Sequence, residues 1–232
     1  MDPKISIILS TYNEGYVIED TLKSIFANLT DVEVVIVDDS STDDTCAVIK
    51  KFNDPRVKLF VRKNRGLASA FLLGLINTRG EIVGWFDSNM PELLTKAPQM
   101  ISELESNDLV ILSRYVLGGN DQRSKLRVFS SKAINFFCRF ILDNSVKDYT
   151  SSLFLMKREK LSSAVPICYG HGEFFIEFIY KLLKKNTKIV EIPYIHPPDQ
   201  EGMSKTANNI FRFFKLGFDY IVRVLISKIR RN

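Results

Sequence analysis

The sequence predicts an α/β protein with a mainly parallel central sheet flanked by helices. Three observations lead there. Short apolar, β-branched runs alternate with stretches of helical periodicity from residue 5 to residue 112. The unusual polar clusters fall just after those apolar runs. A hydrophobic fraction of 45% against 25% charged is that of a folded chain rather than a disordered one. Strand–helix alternation of this kind calls for parallel strands, right-handed crossovers and helices on both faces.

The elements follow in order. Ile5 to Leu9 is a buried-strand run, and Val17, Leu22, Ile25 and Phe26 then recur at helical spacing. Glu33 to Val37 is a second strand ending on two aspartates. A polar helix start follows, with Thr42 as its expected N-cap and Ala47, Val48 and Phe52 on one face. Val57 to Val61 alternates as a strand, Leu67 to Ile76 is helical, and Glu81 to Phe86 makes the fourth strand. A helix from Leu93 to Leu104 and a strand from Leu109 to Leu112 complete the first half. Later segments are mixed: helices at Val128 to Leu142 and Phe174 to Leu183, strands at Leu153 to Met156 and Ile189 to Ile192, with prolines between. One domain over residues 1–206 with a tail over 207–232 is expected.

Bulk properties exclude several classes. Cys46, Cys138 and Cys168 are widely spaced with no C-x-x-C pair, so neither a zinc ribbon nor a disulfide framework is expected. His171 and His196 stand too far apart in sequence to suggest a two-histidine metal site. The amino terminus shows no signal-peptide pattern, and no run of about 18 apolar residues suggests a spanning helix. A cytoplasmic protein, peripheral on the membrane at most, is the expectation. The net charge of +5 favours anionic partners in a general way.

In sheets of this type ligands sit beyond the carboxyl ends of the strands. Tyr12 to Glu14, Asp38-Asp39, Asp87 to Asn89 and Arg114 all follow strand ends, so they converge on one rim. Carboxylates at Asp38-Asp39 can accept hydrogen bonds from ribose hydroxyls or a base edge, while the next helix start can donate to phosphate. The competing reading is simple capping of that helix. Asp87 and Asn89 supply oxygen donors two residues apart, which suits magnesium or manganese bridging a diphosphate; an Asx turn is an equal alternative.

At this point the motifs resemble a known family. Ser10-Thr11-Tyr12-Asn13-Glu14, the run Val35 to Asp43, and Asn64-Arg65-Gly66-Leu67-Ala68 resemble family 2 glycosyltransferases of the GT-A fold. Ser113-Arg114-Tyr115 with Gly118-Gly119, Asp148 to Ser152, Ile192-Pro193 and Gly202-Met203-Ser204-Lys205 look like the polyprenyl-phosphate branch of that family, the dolichyl-phosphate mannose synthases among them. The resemblance implies a GDP- or UDP-hexose donor and a polyprenyl phosphate acceptor. It implies that Thr11, Tyr12, Glu14, Val37, Asp39 and Ser88 hold the donor, with Lys205 closing over it. Asp87 and Asn89 would hold Mg2+ or Mn2+, and Asp87, Arg114 and Arg127 would stand at the reacting phosphates, with Ser131 facing the acceptor. Asn89 replaces the second aspartate of the family's D-x-D, which implies weakened metal binding. Asp199, Gln200 and Glu201 stand where the family carries an arginine before its late loop.

Transfer to a hydroxyl needs a carboxylate base, whereas a phosphate monoester is already anionic. Glu173, without an acidic neighbour in sequence, is the only base-like residue in the relevant region, which favours a phosphate acceptor. The tail is aromatic and basic: Arg212, Lys215, Asp219, Arg223 and Arg230 form one helical stripe, with Ile210, Phe211, Phe214, Phe218, Ile221, Leu225 and Ile229 opposite. It is expected to be an amphipathic helix on an anionic membrane, or else to pack on the core or a membrane partner subunit; nucleic acid is not expected. The competing functions are a family 2 transferase acting on a glycan or protein hydroxyl, and a non-catalytic nucleotide-sugar-binding module.

Overall fold

The computed structural model describes residues 3–63, 66–163, 169–198 and 210–230. A seven-stranded sheet has the order β3-β2-β1-β4-β7-β5-β8. Its strands are β1 (Ile5–Thr11), β2 (Val32–Asp38), β3 (Val57–Val61), β4 (Ile82–Asp87), β5 (Leu109–Ser113), β7 (Phe154–Lys157) and β8 (Ile189–Pro193). A separate parallel pair joins β6 (Asn120–Asp121) to β9 (Ile195–His196).

Strand alternation splits the core into two layers. Ile5, Ile7 and Leu9 face one side with Val34 and Ile36, packing against α1 (Ile18–Asn28), α2 (Thr45–Phe52) and α4 (Ala97–Glu103). Ile8, Val37, Val83 and Trp85 face the other, against α3 (Leu67–Ile76), α5 (Lys125–Ile141) and α6 (Phe174–Lys184). Phe71 anchors that second layer, with Trp85, Phe154, Phe174 and Phe178 around its ring.

Two sequence expectations are corrected locally. The expected helix over 93–104 is a 3-10 turn, Pro91–Lys96, followed by α4, which restarts where Pro98 fits a first turn needing no N–H donor. Thr42 is not the cap of α2: the helix begins at Thr45, whose amide and hydroxyl both donate to Asp43. Within the mainly parallel sheet, β7 runs antiparallel between β4 and β5. Its amino end therefore lies at the rim where β1, β2, β4 and β5 end, and the preceding residues 148–153 are delivered to that rim.

The last element, α7 (Ile210–Ile229), packs on α5 and α6, with Val224 and Tyr220 against the core. Arg223, expected on the solvent side, is buried, whereas Phe218, Ile221, Leu225 and Ile229 are exposed. The cause is Glu177 on α6, fully buried and ion-paired with Arg223 at 2.8 Å, Arg230 at 3.0 Å and Lys181 at 3.0 Å. A buried carboxylate must be paired, so Arg223 turns inward while Lys215, Lys228 and Arg230 stay exposed. No described helix is long and apolar enough to cross a membrane.

Candidate active site

Register aligns the first two clusters: Thr11 sits opposite Asp38, and Ser10 opposite both Val37 and Asp87. The segments after β1 and β2 then lace together. Thr11 donates to Asp38 at 2.8 Å, the Asn13 amide donates to Ser41 at 2.9 Å, and the Glu14 amide donates to Thr45 at 2.8 Å. Asp38 also accepts from the Ser41 amide and hydroxyl, so it organises the turn. The ligand role that its surplus of carboxylate suggested is thereby corrected for Asp38.

Asp39 differs. It is nearly buried, accepts from Arg62 Nε at 2.5 Å and from the Gly66 amide at 3.1 Å, and stands at the open edge of the lacework. Arg62 reaches on to Ser69 and to the Gly66 carbonyl, tying the start of α3 to the end of β3. The sequence held a signal for this pairing: β3 pairs Val61 with Asp38, so the next residues, Arg62 and Asp39, are neighbours. Tyr12 is half-buried beside this edge. The Val37 side chain lies wholly in the core, so any contact it makes with a ligand would come from its backbone.

At the end of β4, Asp87 is partly exposed and Asn89 exposed, whereas Ser88 is buried between them. The Ser88 hydroxyl donates to the Ser10 carbonyl at 2.7 Å and touches the Glu14 carboxylate, and the Ser88 carbonyl accepts from Thr21 at 2.7 Å. Ser88 and Glu14 thus brace the turn that presents Asp87 and Asn89. Asn89 hydrogen-bonds Tyr16, whose phenol is pushed up by burial and by the Glu14 charge against that bond. Asp87 and Asn89 fit a hard cation as two oxygen donors carrying a single charge. Among the described residues no group of three or more His, Cys, Asp or Glu could hold a metal alone, so a diphosphate and water would complete the shell.

Arg114 lies at the heart of a buried polar network. Its Nε and Nη2 donate to Asp148 at 2.8 and 2.7 Å, Nη2 donates to Thr150 at 2.7 Å, and Nη1 is 3.6 Å from Asp121. Burial alone drives the Asp148 carboxyl upward, but the Arg114 charge and hydrogen bonds outweigh it and hold Asp148 below the usual range. Asp121 is likewise depressed against burial, by Arg123, which grips it with two hydrogen bonds of 2.8 and 2.7 Å, and by Arg114. In this arrangement the Arg114 charge is paired with Asp148, which fits a positioning role, while the residue also borders the groove described next. Gly119 permits the fold here, because a Cβ on it would lie 2.7 Å from the Ser113 and Arg114 carbonyl oxygens. Asp148 stood in a motif singled out from sequence, but its pairing with Arg114 was not legible there, and Asp121 was missed; only the spacing Asp121-x-Arg123 hints at a local pair.

A groove of about 520 Å³ opens from this network between α5 and α7. Arg114, Arg123 and Arg127 line it with Ser131 and Thr150, together with Phe129, Ala133, Phe218 and Ile221. Glu173 is buried, accepts from the His171 amide at 2.9 Å and sits 3.9 Å from Arg223, so its carboxylate is engaged by its own loop. The same loop ties two regions together: Arg223 donates to the Tyr169 carbonyl at 2.6 Å, and the Gly170 carbonyl accepts from the Ala68 amide at 3.3 Å. Lys205, Asn64, Arg65, Cys168 and the stretch 199–206 lie outside the described residues.

The Glycosyl transferase family 2 model matches residues 6–164. The chain is 26% identical over 235 residues to an undecaprenyl-phosphate 4-deoxy-4-formamido-L-arabinose transferase of Pseudomonas fluorescens (strain Pf0-1), covering 97% of this chain and 66% of the relative. It is 28% identical over 221 residues to a dolichol-phosphate mannosyltransferase of Pyrococcus furiosus, covering 91% of this chain and 62% of the relative. This chain thus spans slightly less than two thirds of these curated relatives. In fold it is similar to glucosyl-3-phosphoglycerate synthase of Mycobacterium tuberculosis in complex with Mn2+, UDP-glucose and phosphoglyceric acid. The TM-score is 0.74 at 17% identity, covering 99% of this chain and 81% of that one. The same enzyme is also known with Mg2+ and UDP, at a TM-score of 0.72, 19% identity, and 99% and 81% coverage. At such identities the likeness is one of fold, here a GT-A-like α/β fold.

Proposed function

This chain belongs to glycosyl transferase family 2, and on that footing we propose that it moves a hexose from a nucleotide sugar to a polyprenyl phosphate, with inversion. The observation that carries the proposal is the groove between α5 and α7, lined by three arginines together with apolar side chains. That pairing of cations and apolar surface matches an acceptor with a phosphate head and a hydrocarbon chain. The two curated relatives bear names of polyprenyl-phosphate transferases, which agrees with it.

The donor is read along the edge formed by Tyr12 and Asp39, with Asp39 held by Arg62 for a ribose or base contact. Asp87 and Asn89 would hold Mg2+ or Mn2+, which when bound neutralises charge on the departing nucleoside diphosphate. An acceptor phosphate oxygen attacks the sugar's C1 from the face opposite the diphosphate. The new C–O bond forms as the C1–diphosphate bond breaks, and the electron pair leaves with the diphosphate. A phosphate monoester has its second pKa near 6, so the nucleophile needs no carboxylate base. This accords with Glu173 being occupied by its own loop. Arg127, in the groove wall, would hold the acceptor phosphate, and Lys205 would close over the donor from the late loop. The reaction is assigned to the cytoplasmic membrane face.

The test is incubation with labelled GDP- and UDP-hexoses and polyprenyl phosphate, with and without Mn2+, followed by solvent extraction. A labelled, metal-stimulated lipid product is expected. Transfer to saccharide with no lipid product from any donor would refute the acceptor, and donor binding without turnover would refute the activity.

A further inference from the structure

Residues 147–150 lie between α5 and β7 and belong to neither, yet each of their four amides is caught by a side chain. The Lys147 and Asp148 amides donate to Oε2 and Oε1 of Glu191 at 2.7 and 2.9 Å. The Tyr149 amide donates to Asn135 Oδ1 at 2.6 Å, and the Thr150 amide to Asp148 Oδ1 at 3.2 Å. Backbone groups in the interior need partners, so the path of this stretch is set by the side chains that supply them. Two of those side chains come from elsewhere in the fold: Glu191 from β8, the outermost strand of the sheet, and Asn135 from α5. Burial pushes the Glu191 carboxyl above its usual range against its amide bonds, and the Asp148 charge adds to the push. Asn135 is itself buried and donates from Nδ2 to Thr150 Oγ1 at 2.9 Å.

The stretch so held is what grips Arg114, through Asp148 at Nε and Nη2 and through Thr150 at Nη2. Arg114, Thr150 and Ser131, whose hydroxyl lies 3.1 Å from that of Thr150, all line the groove between α5 and α7. We propose that Glu191 and Asn135 are positioning residues for acceptor recognition. Together they fix residues 147–150, and through them the place of Arg114 and Thr150 in the groove wall. Neither residue reaches the donor edge at Tyr12 and Asp39, so their effect falls on the acceptor. This role rests on the phosphate acceptor proposed above, and direct binding keeps the two separable.

The experiment titrates a short-chain polyprenyl phosphate in detergent into the full chain by calorimetry, with UDP and GDP plus Mn2+ titrated in parallel, and adds steady-state rates. Glu191→Gln sets an amide donor against one of the loop's own N–H groups, and should weaken lipid-phosphate binding and raise the acceptor KM about tenfold. Nucleotide affinity, donor KM and kcat at saturating acceptor should stay within about twofold of wild type. Asn135→Ala carries the same expectation and stands in if Glu191→Gln does not fold. Glu33 supplies the control, because it too accepts a backbone amide, that of Arg79 at 2.5 Å, but at the end of β2 away from the rim. Glu33→Gln should lower the melting midpoint and leave the acceptor KM unchanged. Unchanged acceptor affinity in Glu191→Gln and Asn135→Ala, an equal loss of nucleotide affinity, or the same acceptor loss in Glu33→Gln would overturn the positioning role alone. A wild type that binds no polyprenyl phosphate would overturn the acceptor reading and this role with it.

Discussion

Replacing Arg114 by leucine tests whether this arginine serves the fold or the reacting phosphate. The guanidinium is about 4 Å, centre to centre, from the Asp148 carboxylate, worth roughly 4 kcal/mol at an effective dielectric near 20. Removing one partner of such a buried pair typically costs about 3–5 kcal/mol. Asp148 would keep the Arg114 backbone amide at 3.0 Å and the Thr150 amide at 3.2 Å, which places the loss at the lower end. For a chain of this size about 3 kcal/mol lowers the melting midpoint by roughly 6–12 °C. Thermal and urea unfolding followed by circular dichroism would report it. The double variant Arg114→Leu with Asp148→Leu should lose clearly less than the two single losses summed, because no charge is left stranded. If Arg114→Leu melts within ~2 °C of wild type while transfer collapses, Arg114 acts on ligand and the positioning argument fails.

Asn89→Asp should tighten Mn2+ binding in the presence of nucleoside diphosphate about tenfold, roughly 1.4 kcal/mol for the added charge, measured by calorimetry. Arg127→Ala should raise KM for polyprenyl phosphate about tenfold through loss of one charge-assisted contact, with nucleotide affinity unchanged by thermal shift. Asp148, depressed in the folded state, contributes stability that is full above its unfolded pKa near 3.9 and is lost as pH falls toward the folded value. Chemical denaturation of wild type should therefore weaken below about pH 4, and the same titration on Asp148→Asn should be flatter.

The parallel part of the sheet was legible because β1, β2 and β4 are buried on both faces and their runs are almost wholly apolar, broken only by Ser6, Glu33 and Gly84 before the polar residues at their carboxyl ends. The antiparallel sense of β7 was not, since Phe154 to Met156 reads the same in either direction and only pairing decides it. Polar clusters at the rim were legible as clusters. Their division of labour was not: Asp38, Ser88 and Arg114 are consumed by partners distant in sequence, and Asp39 stays at the edge. Likewise the amphipathic period of α7 was plain, but its orientation depended on Glu177, a residue that looks like any helix surface glutamate until it is buried.

Two consecutive carbonyls, those of Tyr169 and Gly170, are held by two different helices, one by Arg223 of α7 and the other by the first turn of α3 beside Asp39. Two successive peptide units therefore tie the terminal helix to α3. Any lateral shift of the terminal helix beyond the slack of two hydrogen bonds must either tilt the amino end of α3 or snap a tie. On the function proposed above, occupancy of the donor edge would register as hydrogen-exchange protection in α7.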